Sequence, residues 1–71
     1  MPHPLQEYAR AVSDETDLTY AEAITFVGRN IAKARTPAVA KIRDHQIRIS
    51  TIIANLVDLA KGIPLEMAEA E

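Results

Sequence analysis

Six cations crowded into twenty positions are the residues here most able to act on a partner. Arg29, Lys33, Arg35, Lys41, Arg43 and Arg48 face only Asp44, so residues 29–48 carry a charge of +5. The flanks are acidic: residues 1–28 carry −4 and residues 49–71 carry −3, which together give the net charge of −2. A basic patch of this kind suits an acidic protein surface or nucleic-acid phosphates. It also suits pairing with the acidic flanks, or simple solvation. No aromatic residues are interleaved with the cations as base-stacking platforms. Thr36-Pro37 stands where a helix–turn–helix motif would place a glycine between apolar residues. An acidic or apolar groove on another protein is therefore the preferred partner, with nucleic acid as the alternative.

Catalytic chemistry is thin. There is no cysteine, which removes thiol nucleophiles, disulfides and thiolate metal sites. His3 and His45 are the only imidazoles, and Ser13 and Ser50 the only serines. No phosphate-binding loop, nucleophile elbow or zinc-binding His pair is present. Asp14, Glu15 and Asp17 have the composition of a cation loop but lack its glycine and ligand spacing. The expectation is a protein without catalytic residues, metal or cofactor.

The elements that would position the cations are helical. With 48% hydrophobic and 4% aromatic residues, two glycines and abundant alanine, the core must be aliphatic and the class all-α. Leu5, Tyr8, Ala9 and Val12 follow helical spacing and predict a first helix over about 4–12. The polar stretch 13–17 predicts a loop. Thr19 and Glu22 form a capping-box signature that opens a second helix over 20–35. Its stripe is Tyr20, Ile24, Val27, Ile31 and Ala34. Gly28 lies between Ala21 and Ala32, and a close approach of another helix would explain a glycine there.

Thr36-Pro37 predicts the start of a third helix and Gly62 before Pro64 its stop. Ile42, Ile49 and Leu56 fall seven apart, with Ile52, Leu59 and Ile53 at intermediate positions. That pattern predicts one seam over 37–62, roughly 40 Å long at about 1.5 Å per residue. A rod of that length needs a companion, and a chain of 71 residues has a core that oligomerisation would staple. The expected architecture is therefore a three-helix homodimer in a helical bundle. Its interface would be formed by Ile42, His45, Ile49, Ile52, Ile53, Leu56 and Leu59, with antiparallel pairing preferred. His45 would be a wet or register-setting layer in that seam.

Residues 1–63 are expected to form one domain and 64–71 a frayed acidic tail. No apolar run reaches the length of a membrane span, and no basic-then-apolar leader opens the chain. The expected location is cytoplasmic, in a cell or an infected host cell. The expected function is that of a small non-catalytic regulator, inhibitor or adaptor that docks on another protein. The alternatives are a nucleic-acid-binding regulator that uses residues 29–48 and a structural subunit of a larger assembly.

Overall fold

The computed structural model describes residues 4–65 and shows an all-α chain of four helices among them. They are α1 (Pro4–Glu15), α2 (Tyr20–Ala34), α3 (Pro37–Ala40) and α4 (His45–Ala60). The first three residues, and residues 66–71 of the expected frayed tail over 64–71, lie outside the described residues. So does His3. Among the described residues no helix is long and apolar enough to cross a membrane.

α1 runs three residues past its expected end at Val12. Val12 is fully buried and anchors that last stretch. Beyond it, the Thr16 hydroxyl donates to the Val12 carbonyl (2.6 Å) and the Ser13 hydroxyl to the Leu18 carbonyl (2.9 Å). These side-chain bonds turn the chain into α2. α2 opens on the expected capping box: the Glu22 amide donates to the Thr19 hydroxyl (3.2 Å), and the Thr19 amide to the Glu22 carboxylate (2.9 Å). Its far end is held by α4, where the Asn55 side-chain amide donates to the carbonyl of Ala34 (2.9 Å). One of the carbonyls a helix end leaves open thereby gains a partner 21 residues away.

The expected rod over 37–62 is not one helix, and the structure corrects the three-helix reading here. Thr36 does cap a helix, accepting from the Val39 amide (3.2 Å), but that helix is only Pro37–Ala40. It tightens into i→i+3 bonds, from Lys41 N–H to Ala38 O and from Ile42 N–H to Val39 O, and stops. Asp44 then caps a new helix, its carboxylate accepting from the Ile47 amide (3.1 Å). Arg48 reaches back from α4 to donate to the Ile42 carbonyl (2.8 Å), which the break leaves without a helical partner. The gain from breaking is burial. The turn folds Val39, 2% exposed, and Thr36, 6% exposed, into the core. α4 ends as expected: Gly62 takes the left-handed conformation (φ +78°), Ile63 N–H donates to Asp58 O and Gly62 N–H to Leu59 O. Those two bonds complete a Schellman cap.

The core joins Tyr8, Ala9 and Val12 of α1, Ala23, Val27 and Ala34 of α2, Val39 of α3 and Ile52, Leu56 and Val57 of α4. Most of the proposed dimer seam is thus used within the chain. Ile52 and Leu56 are buried, and Ile49 and Ile53 pack against the same core. Leu59 and Ile42 are half-buried outside that cluster, and His45 is the exposed first residue of α4. The dimer expected from the rod's length loses that argument with the rod.

Gly28 is also corrected. It is exposed, and a methyl group in place of its α-hydrogen would meet nothing within 4 Å. Among the described residues no other helix comes within that distance. Gly28→Ala is therefore expected to stabilise the fold by about 0.5–1 kcal/mol through helix propensity, read as a higher midpoint in urea. A loss of stability would show a contact at Gly28 that the fold does not contain.

Candidate functional site

The break between α3 and α4 does more than end a helix. It opens a groove of about 540 Å³ where α1, α3 and the start of α4 converge. Tyr8, Val39, Ile49 and Ile52 form its apolar floor, the first two and Ile52 being buried. Around it stand Arg35, where α2 ends, His45 and Arg48 on the first turn of α4, and Glu7 on α1. With His45 neutral, two guanidiniums against one carboxylate leave this rim at +1. Ala40, the last residue of α3, is exposed and lies on the lip.

The rim's side chains differ in freedom. Arg48 is half-buried and engaged: one guanidinium nitrogen bonds the Ile42 carbonyl, and the other sits 3.4 Å from His45 Nδ1. It fixes the wall while keeping its charge. Arg35 is exposed, and its guanidinium has no hydrogen bond or ion pair among the described residues. No ion pair within 4.0 Å joins any two described residues. Among the described residues, the acidic side chains therefore do not neutralise the basic stretch by contact.

Tyr8 is the unusual member. It is 3% exposed, it lines the groove, and its hydroxyl has no hydrogen-bond partner among the described residues. A buried hydroxyl without a partner loses hydration and gains nothing in return. A phenylalanine would fill the same space without that cost.

The six cations of residues 29–48 do not all line the groove. Arg35 and Arg48 meet in the groove. Arg29 lines a separate depression along α2 with Leu18, which precedes that helix, Phe26 and Asn30. Lys33, Lys41 and Arg43 are exposed and line neither. Tyr8 and Glu7 were not anticipated as site residues. Nothing local marks them, because their role arises only when α1 comes to line the same groove as α3 and α4.

Among the described residues no three His, Asp or Glu side chains come together as metal ligands could. Nor does a serine hydroxyl hydrogen-bond a histidine there: Ser13 bonds a backbone carbonyl, and Ser50 is exposed on α4. What the groove offers is an apolar surface beside fixed and free positive charge, which suits recognition. Comparison of the chain with protein-family models, with curated proteins and with solved structures finds no match.

Proposed function

We propose that this protein is a non-catalytic interaction module, a small regulator, inhibitor or adaptor that docks on another protein through the groove between α1, α3 and α4. The observation that carries this reading is the groove's makeup: an apolar floor beside a free Arg35 and a fixed Arg48. Apolar contact supplies affinity in such a site, and charge steers the encounter and selects an acidic partner. The mechanism is occlusion or tethering of the bound surface. Only Arg35 and Arg48 of the six cations line the groove, so the reading rests on apolar contact with two charges beside it, which suits a protein surface; nucleic acid would draw on many phosphate contacts. This reading concerns a single chain and requires no second copy.

Affinity capture compared across variants tests it. Arg35→Glu reverses the free rim charge, and Ala40→Trp fills the lip from an exposed position. Both are expected to lose one specific protein that the parent chain retains, at least tenfold in recovery. Lys33→Glu, the same charge change outside the groove, should retain it. Equal loss in Lys33→Glu and Arg35→Glu would mean that charge alone mediates capture, and would count against the groove. Retention of duplex DNA with a steep salt dependence would replace this reading with nucleic-acid binding.

A further inference from the structure

Four polar side chains that line the groove, Glu7, Tyr8, Arg35 and Gln46, have no hydrogen-bond partner among the described residues. Two of them point to what it holds: the hydroxyl of the buried Tyr8 and the guanidinium of the exposed Arg35. An apolar side chain alone would leave both unsatisfied. A cation would face the two arginines. The chemistry that satisfies both is an anionic acceptor with an apolar neighbour. Resting on the docking reading above, we propose that the groove is a carboxylate-binding site for an aspartate or glutamate side chain of the docked protein. That carboxylate accepts from the Tyr8 hydroxyl and from Arg35, while an adjacent apolar side chain of the same segment covers Val39, Ile49 and Ile52.

The parts have distinct roles. Arg35 supplies a planar donor pair suited to a carboxylate. Tyr8 adds a neutral donor inside the apolar floor, where a hydrogen bond is stronger than in water. Arg48 adds charge, and its position is fixed because two of its five N–H donors are directed to the Ile42 carbonyl and toward His45. Glu7 opposes an anion from the α1 side, but it is exposed and screened by solvent. The rim's excess of one positive charge decides the sign of the ligand. The apolar floor decides that a bare anion is not enough.

Hexanoate is a minimal probe, with one carboxylate and a short alkyl chain, and hexan-1-ol and hexylamine are its neutral and cationic counterparts. Each is titrated into the full chain and followed by amide and side-chain chemical shifts in NMR. Hexanoate should give saturable shifts at Tyr8, Arg35, Ile49 and Ile52, with a Kd on the order of a millimolar for so small a ligand. Hexan-1-ol and hexylamine should bind at least tenfold more weakly. Arg35→Ala should weaken hexanoate about tenfold, and Tyr8→Phe severalfold while keeping the fold. No shifts at tens of millimolar hexanoate, equal binding of hexan-1-ol, or unchanged binding in Tyr8→Phe would each overturn the carboxylate assignment. If hexanoate fails while Arg35→Glu still loses the captured protein, docking at the groove stands and only its ligand chemistry is wrong.

Discussion

Leu56→Ala is expected to lower unfolding free energy by about 2–5 kcal/mol, read as an earlier midpoint in urea with an unchanged slope. Leu56 is among the largest fully buried side chains of the core, alongside Val12 and Val27. Few other side chains could move in to fill the space it leaves. A domain of this length has roughly 4–10 kcal/mol in hand at typical values per residue, so the variant is expected to be partly unfolded near body temperature. Leu59→Ala is the matched control. A self-pairing seam would make both leucines interface residues, whereas here Leu59 is half-buried outside the core cluster. Its loss should cost about 1 kcal/mol or less. Equal effects of the two substitutions would contradict the burial described for α4.

Tyr8→Ala is expected to cost about 3–5 kcal/mol, the range for removing a large buried aromatic side chain. It should also abolish binding in the groove, because the ring is both core and floor. The more informative partner is Tyr8→Phe. It keeps the ring and removes a hydroxyl that bonds nothing among the described residues. Its stability should equal or exceed that of the parent chain. A loss of about 1 kcal/mol or more in Tyr8→Phe would reveal a hydrogen bond within the free protein, and would remove the reason for expecting a ligand at that hydroxyl. Urea denaturation of the two variants beside the parent measures both effects.

The local signals in this chain were legible. The Thr19–Glu22 box, the Thr36-Pro37 start and the Gly62 stop each depend on residues within one turn, and each forms as its residue types dictate. The break at 41–44 was hidden by its own surroundings. The spacing of Ile42, Ile49 and Leu56 continues across it, and an aspartate inside a helix costs only some tenths of a kcal/mol more than the best helix formers. Asp44 therefore reads equally well as interior or as cap. What decides is tertiary: Val39 and Thr36 become buried, and Arg48 takes up the freed Ile42 carbonyl.

The site was less visible for the same reason. The basic stretch is a cluster in sequence that runs from α2 through α3 to the start of α4, and only Arg35 and Arg48 of the six cations line the groove. Tyr8 reaches that groove from the opposite end of the chain, and Asn55 finds its acceptor at the end of α2. No spacing rule connects such residues. Ile49 and Ile52 were marked as apolar positions of a dimer seam, and within this chain they pack on the core and line the groove.

The groove exists because the chain turns between α3 and α4, so the turn is the claim to test. Proline at position 45 distinguishes the two geometries. In the structure His45 is the first residue of α4 and follows Asp44 in extended conformation (φ −71°, ψ 120°), the setting that proline favours. Urea denaturation of His45→Pro should give a stability within about 0.5 kcal/mol of the parent chain. A loss of about 3 kcal/mol or more, the cost of proline inside a helix, would mean that residues 37–60 form one continuous helix and that no groove opens there.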